Sequence, residues 1–339
     1  MSELARRTLE LVSIPSVTRE EGELCRYVQE WAGVEPVWRC NLILQSESRG
    51  RPRVGLFGHL DTVLPSSDQP LGIIEGQVYG CGASDMKAGL AFMMAAWERR
   101  EEWSCDLVAV FYDREEGPSE ENGLEFILDR VPPLDLAVVL EPTANQVQKG
   151  CVGSLHARVS VAGKRAHSAR PWQGENALYK ALPLLEKLRS VGVREVEVGG
   201  LIFREVVTPT TAATVNSRNV VPDHFELNVN YRFAPGKSPV QAEEELRSLV
   251  GDLGRVEVLD VAPSGRVASH PLLESWIAAF GLKVEPKQAW TDVARLSERG
   301  IPAVNFGPGD PAQAHQAREH VSVAALEQGW PLLERLLRS

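Results

Sequence analysis

The feature that most limits the fold is a series of short apolar stretches, each ending in an ionisable group. His59 follows VGLF, Glu115 and Glu116 follow LVAVFY, Glu141 follows LAVVL, and His315 comes shortly after AVNF. Helical patterns run between them, as in the segment from Met86, where apolar groups recur at Leu90, Met93, Met94 and Trp97. Near the N-terminus Leu24, Val28 and Trp31 recur at helical spacing, after a first helical stretch that Pro15 should stop. Short apolar strands alternating with helices predict a largely parallel sheet covered by helices. In such a sheet the carboxyl ends of the strands line one crevice, so groups distant in sequence converge there. Asp85, just before the Met86 helix pattern, is expected to join them.

Near residue 153 the texture changes. LHARVSVAG sets Leu155, Ala157, Val159 and Val161 on one face, and FELNVNYRF alternates Phe225, Leu227, Val229, Tyr231 and Phe233 with polar residues. Such alternation marks strands with one solvated face. A helix pattern with Leu178, Leu182, Leu185 and Leu188 on one side follows the first strand, and another covers 239–250 before the strand-like VEVLDV. Strand, helix, strands, helix, strand predicts a ferredoxin-like α+β unit. The first texture then returns, so the expected organisation is a discontinuous α/β domain, 1–153 and 265–339, with 154–264 inserted.

At 339 residues, 43% of them hydrophobic, the chain exceeds the usual size of one core. With 36 basic against 46 acidic residues the net charge is −10. That argues against nucleic acid or an anionic membrane as partner, while leaving room for a local basic pocket. The segment MSELARRTLELV carries charges throughout, unlike a secretory signal, and no apolar run approaches the roughly 20 residues of a membrane span. The five cysteines, at 25, 40, 81, 105 and 151, form no C-x-x-C, as expected of reduced thiols in a cytoplasmic protein. No G-x-S-x-G, Walker A or complete G-x-G-x-x-G pattern occurs.

The chemistry lies in the ionisable groups. In GHLDTV, His59 and Asp61 stand two apart at a strand end. A metal-ligating histidine usually gives its second N–H to a carboxylate or carbonyl, and Asp61 is placed to receive it, although a polar loop also produces so short a motif. Asp85 in GCGASDMKAG is either an ordinary helix N-cap or a carboxylate whose two oxygens each take a cation. Glu115 and Glu116 in YDREEG are either a solvated pair or a division of labour, one holding metal while the other handles protons. Glu141 in VLEPT is either a turn-initiating acid or a further ligand. Two histidines with several carboxylates in one crevice form a borderline-soft donor set suited to Zn²⁺ or a close relative. The reading that unites them is a hydrolase with a two-metal centre.

GHLDTV, GASDMKAG, the EEG, the EPT and a late histidine, in this order over nearly the whole chain, resemble the co-catalytic zinc aminoacylase/carboxypeptidase family. The resemblance implies a zinc-hydrolase catalytic domain whose insertion serves as lid and dimerisation domain, hence a homodimer. It implies two Zn²⁺, with Co²⁺ or Mn²⁺ as substitutes. His59 and Glu141 would hold one ion, Glu116 and His315 the other, and Asp85 would bridge them. Asp61 would orient His59, and Glu115 would act as general base and acid. AHQAREHV also offers His320, but His315 resembles the family position and His320 is expected at the surface. In the insertion, GKRAHSARP makes His167 a candidate oxyanion donor toward a neighbouring subunit's site. SRNVVPD and NYRFAP make Asn219 and Arg232 candidate substrate-binding residues.

The segments RAHSARPWQGENA, NVVPD, NYRFAPG, WTDVARLSERGIPAVNFGPGD and AHQAREHV look most similar to the actinobacterial-type deacylases of that family. This implies hydrolysis of N-succinyl-LL-2,6-diaminopimelate, a small N-acylated amino acid with several carboxylates, to succinate and LL-2,6-diaminopimelate. GPSEEN and TPTTAATVNS depart from the family pattern and leave sister specificities open: a deacylase of the acetylornithine or acyl-lysine type, or a dipeptidase. A non-catalytic metal-binding protein is the reading from another class. The presence of Glu115 beside a full set of ligand candidates counts against it.

Overall fold

In the computed structural model, which describes residues 2–339, the run DLVAVFY becomes the strand Asp106–Tyr112 with every residue buried. It belongs to a seven-stranded sheet in the order Leu42–Gln45, Asp106–Tyr112, Arg53–His59, Leu136–Val139, Ala303–Asn305, Val147–Lys149, Val284–Pro286. The middle four strands are parallel, and antiparallel neighbours flank them. Leu56, Ala109, Phe111, Val138 and Val304 share one core with Leu90, Met93 and Met94 of the helix Ala88–Glu98. Phe57, Val108, Val110 and Val139 share another with Leu124, Ile127, Val293 and Leu296. Burial on both faces explains why these strands read as continuous apolar runs. The parallel register sets His59 beside Tyr112 and Phe57 beside Val139, so the chain leaves all three strands at the same sheet end.

This unit comprises the chain up to Gly150 with residues 268–285 and 291–339; residues 151–267 and 286–290 form a second. The second unit is a five-stranded antiparallel sheet in the order Val193–Val198, Leu201–Ala213, His224–Phe233, Gly153–Ala162, Arg255–Ala262. The last four strands have the ferredoxin-like order, and the hairpin turning at Gly199 and Gly200 adds an edge strand that no simple alternation announced. The phase expected for the first helix was wrong in part. Residues 177–191 form two helices that bury Ala177, Ala181, Leu184 and Leu188, leaving Leu178 and Leu182 exposed. Small alanines pack against the sheet, so the stripe of leucines did not mark the inner face. Residues 286–290 return to this unit, where Val152 N–H donates to Lys287 O (3.3 Å) and Trp290 Nε1–H to Pro263 O (3.0 Å).

Candidate metal centre

His59 is the last residue of its strand and is 1% exposed. Its Nδ1 lies 2.9 Å from the backbone carbonyl of Asp61, which can only accept, so Nδ1 carries the proton. Nε2 of the neutral ring therefore presents a lone pair. It faces Asp85 Oδ1 at 3.4 Å and Glu141 Oε1 at 3.8 Å, and forms no hydrogen bond among the described residues. A cation relieves that crowding of electron-rich atoms, and the imidazole–carboxylate set is one that Zn²⁺ and its neighbours accept. The residues fit such an ion.

Asp85 looks two ways. While Oδ1 faces His59, Oδ2 lies 3.8 Å from His315 Nε2, which is itself 2.8 Å from Glu116 Oε1. Two groups result, His59–Asp85–Glu141 and Asp85–Glu116–His315, each with its ligand atoms within 4.8 Å of one another. A third grouping, His59–Glu115–Glu116, sets Glu115 within reach of the same space. Asp85 is not the cap of the following helix, whose start at Ala88 has no side-chain cap. Instead Asp85 sits in an irregular turn, Ala83–Lys87, with extended backbone angles. His320, by contrast, packs against Tyr79 at 4.9 Å in a small antiparallel sheet and joins neither group.

Asp61 meets His59 as the His-x-Asp spacing suggests and has a second task besides. Its carbonyl, not chiefly its carboxylate, holds His59; Oδ1 stands off at 3.5 Å from Nδ1. The carboxylate accepts the backbone N–H groups of Glu115 (2.9 Å) and Glu116 (3.0 Å) and the hydroxyl of Thr18 (2.9 Å). Burial works to raise Asp61, but His59 and those N–H groups outweigh it and keep it below the usual carboxylate range.

Burial pushes Glu115 well above that range; the charges of Glu141, Glu116 and Asp292 add to the effect and His59 opposes it. The hydrogen bond to Glu116 lifts His315 to about 9. For His59, burial favours the neutral ring, yet Asp61, Asp85 and the charge of Glu115 together hold it well above its ordinary value. Each raised histidine reports the same surplus of negative charge that would welcome a cation.

In the second unit, His167 lies on a two-residue strand paired to Val220–Val221, and Ser168 N–H donates to Asn219 O at 2.8 Å. The fold thus brings His167 and Asn219 together, both exposed. His167 Nδ1 accepts from Ala169 N–H at 3.0 Å, leaving the proton of the neutral ring on Nε2. Arg232 stands on the polar face of its strand, donates Nε–H to Asn230 Oδ1 at 2.9 Å, and forms no ion pair among the described residues. Glu319, 2% exposed beneath the Asp85 turn, was not found in the sequence, where it is one acid in the polar AHQAREHV. No described helix is long and apolar enough to cross a membrane.

Comparison with known proteins adds the lineage. The chain is 37% identical to a Mycobacterium tuberculosis protein named as the candidate succinyl-diaminopimelate desuccinylase DapE, over 97% of this chain and 96% of that one. It is 35% identical to the succinyl-diaminopimelate desuccinylase of Corynebacterium glutamicum, over 97% and 95% of the two chains. A crystal structure of a tripeptidase from Staphylococcus aureus superposes with a TM-score of 0.79 at 20% identity, covering 99% of this chain and 97% of that one, and so shares the fold. Residues 55–339 match Peptidase family M20/M25/M40, a span that opens on the strand delivering His59 and takes in all the residues of both groups. This chain belongs to that family, as one of its metal-dependent amidohydrolases with a two-cation centre.

Proposed function

We propose that the protein hydrolyses the succinyl amide of N-succinyl-LL-2,6-diaminopimelate, releasing succinate and LL-2,6-diaminopimelate. The observation that carries the chemistry is Asp85, whose two oxygens face two separate imidazole–carboxylate groups. What supports the substrate is identity of 35–37% along nearly full length to relatives named for that activity. Arg232 adds to this: a half-buried guanidinium with no ion pair among the described residues suits a substrate carboxylate.

We assign His59 and Glu141 to one cation, Glu116 and His315 to the other, and Asp85 to both, with Zn²⁺ as the resident ion and Co²⁺ or Mn²⁺ as substitutes. Bound there, the cations supply Lewis acidity, making water more acidic and neutralising charge on the amide oxygen. Glu115, which reaches the same space as His59 and Glu116, accepts the proton of the attacking water. The deprotonated water adds to the amide carbon, and the oxyanion left on the former carbonyl oxygen would take a hydrogen bond from the His167 Nε2–H of a neighbouring subunit, the tautomer set by Ala169. Glu115 then gives its proton to the departing amine, and the C–N bond breaks.

The test is release of primary amine from N-succinyl-LL-2,6-diaminopimelate by Zn²⁺-loaded protein, beside N-acetylornithine and a dipeptide panel. Glu115→Gln should cut turnover by about 10²–10⁴-fold while metal stoichiometry holds. Turnover confined to another amide would move the protein to a sister specificity, and no turnover of any amide would sink the catalytic reading. We also read the protein as a cytoplasmic homodimer joined through the inserted unit; a monomer by light scattering would exclude that arrangement and any action of His167 across subunits.

A further inference from the structure

Glu319 takes no part in these proton transfers, yet it is placed against the residue the two cation groups share. It immediately precedes the strand His320–Ser322, which pairs with Gln77–Tyr79, the strand that leads into the Asp85 turn. Oε2 of Glu319 accepts from Gly82 N–H at 2.8 Å, and Oε1 accepts from Ser84 N–H at 2.8 Å and Asp85 N–H at 2.9 Å. The turn Ala83–Lys87 has no side-chain cap of its own, so this one carboxylate satisfies three donors that would otherwise face the interior. The backbone of Glu319 is clasped in turn by Gln69, whose Oε1 accepts Glu319 N–H and whose Nε2 donates to Glu319 O, both at 3.0 Å. A second tie runs from Ser84 Oγ–H to Asp310 O at 2.8 Å. Both ties join the Asp85 turn to the segment that carries His315.

We propose that Glu319 is a positioning residue for the metal centre, fixing the Asp85 turn so that one carboxylate addresses His59 and His315 together. The inference rests on the reading of Asp85 as a ligand common to two cations. A carboxylate is needed because it offers two acceptor oxygens; an amide of the same shape offers one and turns an NH₂ toward backbone N–H groups. Loss of such an outer contact to a ligand typically costs about 10–100-fold in metal affinity.

The experiment titrates metal-free protein with Co²⁺, following heat and the visible absorption of the bound ion. Wild type should take up two equivalents. Glu319→Gln should bind at least one of them about ten-fold more weakly and show a changed visible spectrum, since the geometry at Asp85 shifts. Glu205→Gln serves as control: that carboxylate is also buried and accepts Ala234 N–H at 2.8 Å, but in the inserted unit, and its loss should leave the spectrum unchanged. Wild-type affinities and spectrum in Glu319→Gln, even with a lowered melting temperature, would reduce Glu319 to a structural staple and overturn the proposal. Fewer than two equivalents in wild type would overturn it as well, and with it the two-cation assignment. Should Glu319→Gln fail to fold, Glu319→Asp, which keeps the charge on a shorter arm, is read in the same way.

Discussion

Asp61 shows how one buried carboxylate can set two others. Its oxygens hold the N–H groups of Glu115 and Glu116, so the proposed base and a ligand candidate owe their relative placement to a single side chain. Hydrogen bonds to a charged group contribute about 1.5–3 kcal/mol each, and here two of them end on consecutive residues. Asp61→Asn would keep the size but replace one acceptor by an NH₂ facing an N–H. We expect it to lower kcat by more than ten-fold and to weaken metal binding together, because both glutamates shift. The imidazole of His59 should stay in place, since its hydrogen bond goes to the Asp61 carbonyl. Isothermal titration with Zn²⁺ beside steady-state rates checks this; unchanged metal affinity with lost activity would mean that Asp61 governs Glu115 alone.

At the scale of elements, the helix Ala88–Glu98 is seated against the strand end that delivers Glu141. A Cβ on Gly89 would stand 2.2 Å from Leu140 O, a backbone atom with no rotamer to turn away. In an exposed helix, Gly→Ala would gain about 1 kcal/mol from propensity. Here the collision should dominate, since overpacking typically costs about 1–3 kcal/mol. Gly89→Ala is therefore predicted to lower thermal stability and to weaken the site containing Glu141; a melting temperature at or above wild type would show that the helix can slide. Elements of this kind were legible in the sequence wherever burial was simple. DLVAVFY and LAVVL, buried on both faces, announced parallel strands, and FELNVNYRF announced a strand with one apolar face, although its polar face is itself partly covered. The helix over 177–191 was misphased because alanines, carrying little hydrophobic signal, hold its inner face. Glu319 and the second role of Asp61 stayed hidden for a different reason. Both act through backbone N–H groups brought near by tertiary folding, and no residue pattern encodes those.

The molecule as a whole carries two kinds of stabilising charge, one in each unit, and each unit has its own apolar core. In the first, carboxylates and imidazoles from separate strand ends crowd together, so a cation that binds the folded form alone stabilises that unit in proportion to the logarithm of its free concentration. In the second, Glu205 and Glu245 meet Lys237, Arg194 and Tyr231 in a network complete within the unit. Burial would raise Glu245, but hydrogen bonds from Lys237, Tyr231 and Arg194 prevail and hold it at about 2. A carboxylate depressed in the folded state contributes stability above its ordinary value, and that contribution fades as pH falls toward the depressed one. Hydrogen exchange measured peptide by peptide should therefore separate the two. Chelation at neutral pH should speed exchange at the strand ends around His59, Glu116 and Glu141, and leave residues 224–233 and 239–250 as they were. Glu245→Gln should do the reverse, and its difference from wild type should close between the ordinary carboxylate range and about pH 2. If chelation loosened the strands of the inserted unit as strongly as those of the first, the two cores would be one cooperative body, and the cations would stabilise the chain as a whole.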